Sequence, residues 1–152
     1  METVNSPDLP LNREQIQRYL PHRSPFLFLD SVTALLPGER AEGYFDILAE
    51  ETILGGHFPS RPIWPGVLSL EAMAQLWGVC DAVGCTDGDD ARLGVFAAVD
   101  RARFRRPVFP GDRLKMEVEL ERRRGSFSRV NAWARVDGDL AAEGLLSFGV
   151  ME

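Results

Sequence analysis

Apolar and polar positions change period several times along the chain, and each change predicts an element boundary. Leu114, Met116, Val118 and Leu120 alternate with Lys115, Glu117 and Glu119. This period of two predicts a strand with one buried face. Val130, Ala132, Ala134 and Val136 alternate with Asn131, Trp133 and Arg135 in the same way. Asp137-Gly138 predicts a hairpin turn into another strand over 140–150. Apolar runs at 26–32, 40–47 and 93–99 read as further strands, with Pro37-Gly38 turning the chain between the first two. Asn12 is placed to cap a short helix through Tyr19, stopped by Pro21.

The region between these strands behaves differently. Gly55, Gly56, Pro59, Pro62, Pro65 and Gly66 crowd one stretch, a density that neither a helix nor a central strand tolerates. This stretch is expected to be a loop. Residues 67–83 follow with no proline and a single glycine, Gly78. Their apolar side chains fall nearly all round a helix, which predicts a buried helix about 25 Å long. One such helix and several antiparallel strands give an α+β domain in which a curved sheet wraps the helix. Residues 1–11, with Pro7 and Pro10, read as a loose tail ahead of a single domain over 12–152.

Composition narrows the class. At 152 residues the chain fits one domain and is too small to enclose a deep active site easily, so a site at a subunit interface is expected. Its net charge of −6 argues against duplex nucleic acid as a partner. Two cysteines, Cys80 and Cys85, make no disulfide framework and no zinc pattern. No apolar run is long enough to cross a membrane, and no basic-then-apolar leader opens the sequence. A cytoplasmic location is the expectation.

The residues with chemistry to offer are few. There are two histidines, His22 and His57. His57 lies in the stiff turn-rich loop and could exchange a proton near neutral pH. Taken alone, it reads first as a surface histidine bonded to a backbone group. Glu71 sits one turn into the apolar helix, between Leu70, Ala72 and Met73. Desolvating its charge is costly, which favours a carboxyl that keeps its proton. It reads equally well as a carboxylate paired with an arginine, or as part of one wet edge with Gln75 four residues on. Gly66 opens the helix, where free backbone N–H groups favour developing negative charge. It reads equally as a glycine required by backbone geometry alone.

The block Gly56-His57-Phe58-Pro59-Ser60-Arg61-Pro62-Ile63-Trp64-Pro65-Gly66-Val67-Leu68, followed by Glu71-Ala72-Met73-Ala74-Gln75, closely resembles the 3-hydroxyacyl-[acyl-carrier-protein] dehydratases of bacterial type II fatty-acid synthesis. Tyr19 to Leu27 resembles the opening segment of that family, and Phe104 to Asp112 resembles its strand-and-turn signature. The resemblance runs from about Asn12 to Val150 without a large gap. It implies a hot-dog fold and a homodimer, commonly three dimers in a hexamer. It implies that His57 of one subunit faces Glu71 of the other across a shared tunnel. The histidine would take a proton from the carbon beside the thioester, the glutamate would protonate the departing hydroxyl, and the amide of Gly66 would bind the thioester carbonyl. Phe58, Trp64, Pro65, Val67 and Gln75 would complete the substrate site. No metal or redox cofactor is implied, because the substrate arrives on the phosphopantetheine arm of an acyl carrier protein. Glu71, where related dehydratase-isomerases carry aspartate, favours simple dehydration. Trp64 departs from the usual methionine or tyrosine and is expected to narrow the acyl tunnel or fill the interface.

Carrier proteins are acidic, and so is this chain, so a local basic patch would have to steer docking. Arg101, Arg103 and Arg105 alternate and on a strand would share one face, with Arg106 beside them. They serve equally well as partners for acidic residues of the same chain. Two other functions compete: a hot-dog thioesterase, and a catalytically silent subunit that binds acyl carriers.

Overall fold

A computed structural model describes residues 6–85 and 93–151. Residues 1–5 of the expected tail lie outside the described residues. The chain runs α1 (Arg13–Ile16), β1 (Ser31–Leu36), β2 (Arg40–Asp46), a 3-10 turn (Thr52–Gly56), α2 (Gly66–Gly84), β3 (Leu93–Phe104), β4 (Arg113–Arg124), β5 (Phe127–Val136) and β6 (Asp139–Met151). Six strands form one sheet in the order β1-β2-β4-β5-β6-β3, antiparallel throughout. The long helix α2 packs against its inner face, the hot-dog arrangement of an α+β domain.

The period-two strands fold as their pattern predicts. Leu114, Met116 and Val118 of β4 and Val130, Ala132, Ala134 and Val136 of β5 are buried under the helix. Helix α2 buries Leu68, Leu70, Met73, Leu76, Trp77, Val79 and Val83 on several sides at once. No helix is long and apolar enough to cross a membrane, among the described residues. Burial pushes the Cys80 thiol up to about 11, so this residue packs as a small apolar group and stays protonated.

Two glycines permit close packing around α2. Gly43 of β2 lies under Leu76 of α2, and a Cβ there would stand 2.5 Å from the Ser31 carbonyl oxygen. At the helix C-terminus, a Cβ on Gly84 would stand 2.7 Å from Gly38 Cα in the β1–β2 turn. The Gly38 amide donates to the Cys80 carbonyl at 2.9 Å, and its φ of +71° requires glycine.

The expected boundaries need four corrections. Leu11 is no part of a loose tail, because it is buried and exchanges two backbone hydrogen bonds with Val32. Helix α1 has its expected Asn12 cap, with Gln15 completing a capping box, but ends at Ile16, short of Tyr19. The strand expected at 26–32 begins only at Ser31, because the Phe28 amide and the Phe26 carbonyl bond the Gln75 side chain of α2 and no neighbouring strand. Strand β3 runs on past Val99 to Phe104 as an edge strand. An edge tolerates the charges of Asp100, Arg101 and Arg103 because their side chains stay in water.

Gly43→Ala drives a methyl group against the backbone carbonyl of Ser31 in the neighbouring strand β1, which cannot swing aside as a side chain would. It should lower stability by about 1–3 kcal/mol, read as a lower urea midpoint with an unchanged slope. A wild-type midpoint would show that the sheet makes room for a methyl group at this position.

Candidate active site

His57 closes the 3-10 turn, its amide bonded to the Leu54 carbonyl at 3.3 Å. The next residue, Phe58, has φ +58°, a left-handed conformation rarely adopted by a bulky side chain. Holding it there costs about 1–3 kcal/mol. The Arg61 amide closes the turn on the Phe58 carbonyl at 2.9 Å. Phe58 packs edge-on against the imidazole, with ring centres 4.6 Å apart. The Nδ1 of His57 lies 2.7 Å from the Ile63 carbonyl oxygen. A carbonyl only accepts, so Nδ1 carries the proton, and Nε2 of the neutral ring is left bare and able to take one. The backbone-bonded histidine expected from the loop is therefore real, and that bond decides which nitrogen of the neutral ring is left with a free lone pair.

His57 opens into a cavity of about 450 Å³ shared with Trp64, Pro65, Gly66, Val67 and Phe104. Pro65 precedes α2, and no side chain caps the helix. The amides of its first turn therefore point outward, at the positive end of the helix dipole. Gly66 has no left-handed φ; what it supplies is room. A Cβ there would stand 2.7 Å from two carbons of the Phe104 ring. Val67 is exposed at the cavity, and Phe58, expected in the substrate site, is exposed beside the His57 ring but does not line the cavity. Trp64 is different from expectation. It is buried within its own chain, its ring centre 5.5 Å from those of Phe28 and Phe45, so it fills this domain's core rather than an interface.

Glu71 lies elsewhere. It lines a larger groove, about 980 Å³, together with His22, Gln75, Gly78 and Phe96, and this groove shares no residue with the His57 cavity. Within one chain, then, the histidine and the glutamate are not brought together. Gln75, expected to contact substrate, is only 1% exposed, and its amide is engaged. Its Oε1 accepts from the Phe28 amide at 2.7 Å, while Nε2 donates to the Phe26 carbonyl at 3.1 Å and to Glu71 Oε1 at 3.2 Å. Gln75 thus holds the carboxyl in place. The wet edge expected to join Glu71 and Gln75 is not there, because Gln75 is buried; the half-exposed stripe of this otherwise buried helix runs instead through Glu71, Ala74, Gly78 and Asp81.

His22 was not singled out from the sequence as a site residue, yet its Nε2 stands 3.5 Å from Glu71 Oε1. The usable signal was that it is one of two histidines and falls in the opening segment of the family resemblance.

The arginines need correcting too. A β-bulge falls between Asp100 and Arg103, and Arg101 has φ +53°, so the alternation that would put Arg101, Arg103 and Arg105 on one face is broken. Arg105 bonds Glu143 at 2.9 Å, and that hydrogen bond pulls the Glu143 carboxyl below its ordinary range. Arg106 reaches Asp139 at 3.3 Å. Among the described residues, no three His, Cys, Asp or Glu side chains are grouped to hold a metal ion.

Residues 20–144 match the FabA-like domain family. A relative from Bacillus velezensis named 3-hydroxyacyl-[acyl-carrier-protein] dehydratase FabZ is 42% identical over 142 residues, 93% of this chain and 99% of the relative. One of the same name from Natranaerobius thermophilus is 44% identical over 138 residues, 91% and 96% of the two chains. Among solved structures, the dehydratase heterocomplex ApeI:P from Xenorhabdus doucetiae superposes with a TM-score of 0.78 at 20% identity, covering 96% of this chain and 93% of that one, a likeness of fold. With the match spanning most of the domain and both relatives aligned over nearly their whole length, this chain belongs to the FabA-like family, among the FabZ dehydratases.

Proposed function

We propose that this protein is a 3-hydroxyacyl-[acyl-carrier-protein] dehydratase of fatty-acid or related polyketide or polyene biosynthesis, working in the cytoplasm. The reading is supported by relatives of that name aligned over more than nine-tenths of the chain. The structural observation that carries it is the bare Nε2 of His57 beside an uncapped helix N-terminus. A thioester carbonyl placed at the Gly66 amide would be polarised, which acidifies the carbon next to it. His57 Nε2 takes the proton from that carbon. The electron pair forms the new double bond, the bond from C3 to the hydroxyl oxygen breaks, and Glu71 gives its proton to the leaving oxygen to release water. The product is a trans-2-enoyl thioester. Every step is a proton transfer or a redox-neutral elimination, so the reading calls for no cofactor beyond the carrier's phosphopantetheine.

The acid and base must then come from two chains, and three observations support this. His57 and Glu71 open into separate cavities of one chain. Strand β3 is exposed on both faces from Gly94 to Phe104, although it carries Val95, Phe96, Val99 and Phe104. A long edge with free backbone groups and apolar side chains is a template for pairing with another strand. The half-exposed stripe with Glu71, Ala74 and Gly78 borders the same groove as Phe96 of β3. A homodimer joined along β3 would bring Glu71 of the partner subunit towards His57. Such dimers assembling in threes would make the hexamer that the family resemblance implies.

Docking of the acidic carrier falls chiefly to Arg101 and Arg103, since Arg105 and Arg106 are already paired within the chain.

The test is to incubate the protein with a 3-hydroxyacyl thioester and follow enoyl product and free thiol together. Enoyl product is expected; free thiol instead would mean a thioesterase, and neither would mean a silent subunit. His57→Ala and Glu71→Ala should each lower kcat by at least about a hundredfold while leaving the fold intact. Full turnover in either would refute the assignment. Co-refolding the two inactive variants in equal amounts separates a shared site from a private one. Half the dimers would be mixed, and each mixed dimer would hold one intact site of two, so about a quarter of wild-type activity should return. No recovery from a mixture shown to contain mixed dimers would place both groups in one chain.

A further inference from the structure

We propose that His22 is a positioning residue for Glu71, donating from Nε2 to Glu71 Oε1 so that the proton to be delivered sits on Oε2. The proposal rests on the dehydratase reading for its meaning, while its geometry stands independently.

The argument begins with Gln75, whose orientation is not ambiguous. Its Oε1 accepts from the Phe28 amide, so the other end of the amide is the NH2 group that faces Glu71. Glu71 Oε1 is therefore already an acceptor. His22 Nε2 approaches that same oxygen to 3.5 Å. This is longer than a formed hydrogen bond and close enough to become one on a small rotation of the ring, a common state of catalytic contacts before substrate binds.

The surroundings of the His22 ring also favour one tautomer. Its Nδ1 is buried and has no partner. A proton on Nδ1 would leave a donor stranded away from water, and would turn the bare Nε2 towards the acceptor Oε1. The neutral ring that suits this setting carries its proton on Nε2 and points it at Glu71.

The segment around His22 is built to hold the ring there. Arg23 Nη1 donates to the carbonyls of both Leu20 and His22 at 2.7 Å, and its Nη2 donates to the Gln17 carbonyl at 3.2 Å. Phe26 stacks on the imidazole, with ring centres 6.4 Å apart and planes 21° apart. Gln75 ties the backbone of Phe26 and Phe28 to the helix that carries Glu71. Three separate contacts thus deliver His22 to one oxygen.

With two donors on Oε1, the carboxyl proton resides on Oε2. As that proton leaves for the substrate hydroxyl, negative charge spreads over both oxygens and the two N–H groups bind Oε1 more strongly. Their contribution is greatest after the proton begins to move, so it acts on kcat more than on KM.

The experiment uses the full chain with His22→Phe and His22→Gln. Phenylalanine keeps the ring and its stacking on Phe26 but has no donor. Glutamine loses the ring but places an N–H near the position of Nε2. If His22 donates, His22→Phe should lower kcat roughly ten- to a hundredfold with KM little changed, and His22→Gln should recover most of that loss. A packing role predicts the reverse order, with the phenylalanine variant active. Thermal midpoints confirm that both variants are folded. Wild-type kcat in His22→Phe, or a His22→Gln no better than His22→Phe, would overturn the proposal. Wild-type protein and Glu71→Gln run alongside: absence of enoyl product from wild type would sink the dehydratase reading itself.

A second readout needs no turnover. The chain has only two histidines. In the nitrogen spectrum of 15N-histidine-labelled protein they should show opposite tautomers, Nδ1–H for His57 and Nε2–H for His22, with the signals assigned by their loss in the variants. A proton on Nδ1 of His22 would overturn the proposal whatever the enzyme does.

Discussion

A nineteen-residue helix with almost no polar face has to be enclosed, and the architecture is organised by that requirement. Each large aliphatic side chain that α2 hides from water contributes about 1.5–3 kcal/mol. The sheet can cover the helix only if it comes close, and it comes close where it presents little: Gly43, Ala132 and Ala134 lie on the buried face. Cover from one chain is still incomplete. Strand β3 hangs at the sheet's end with both faces in water, and the stripe from Glu71 to Asp81 stays half-exposed beside it. The part of the helix that one sheet leaves open is the part that carries its carboxyl groups.

Gln75 shows how a polar group is accommodated in that helix. Buried amides need partners, because an unsatisfied one forfeits its hydration with nothing in return. Gln75 meets the requirement by acting as a neighbouring strand would, accepting from the Phe28 amide and donating to the Phe26 carbonyl. This one side chain therefore does two jobs. It replaces strand pairing for the segment after His22, and it fixes the carboxyl one turn earlier on its own helix. Folding and site assembly depend on the same three hydrogen bonds.

The same pattern explains what could be read from the chain directly. Strands β4 and β5 keep one face wet and one dry, so their period of two is written residue by residue. The loop before α2 is legible because glycine and proline state their backbone preferences locally, and His57 is legible with it. The 26–32 run looked like a strand because its composition suits one. Its hydrogen-bond partner is a glutamine almost fifty positions away, which no local pattern reveals. Strand β3 looked shorter than it is because charges at Asp100, Arg101 and Arg103 mark a strand end only when the strand is internal. Arg101 at its bulge broke an alternation that assumed an unbroken ladder. Trp64 could not be placed in the core from the sequence because its nearest aromatic neighbours, Phe28 and Phe45, come from other parts of the chain.

The partner chosen for His57 bears on which reaction suits the site. Its Nδ1 rests on a neutral carbonyl, and a carboxylate is absent from that contact. A carbonyl fixes the tautomer without adding a full negative charge to favour a long-lived imidazolium. Hydrolysis by an activated water needs a base that holds its proton through formation and collapse of a tetrahedral intermediate. Elimination asks less: one proton is taken from carbon while another is given to oxygen, and the site as a whole gains no net charge. On the proposed reading, the proton that His57 takes from carbon is balanced by the one that Glu71 gives to oxygen, and the starting state returns when a proton passes back between them. Hydration of the enoyl product would run through the same two groups in the opposite sense. A lightly supported base on one side and a carboxyl pinned by one oxygen on the other are matched to that exchange.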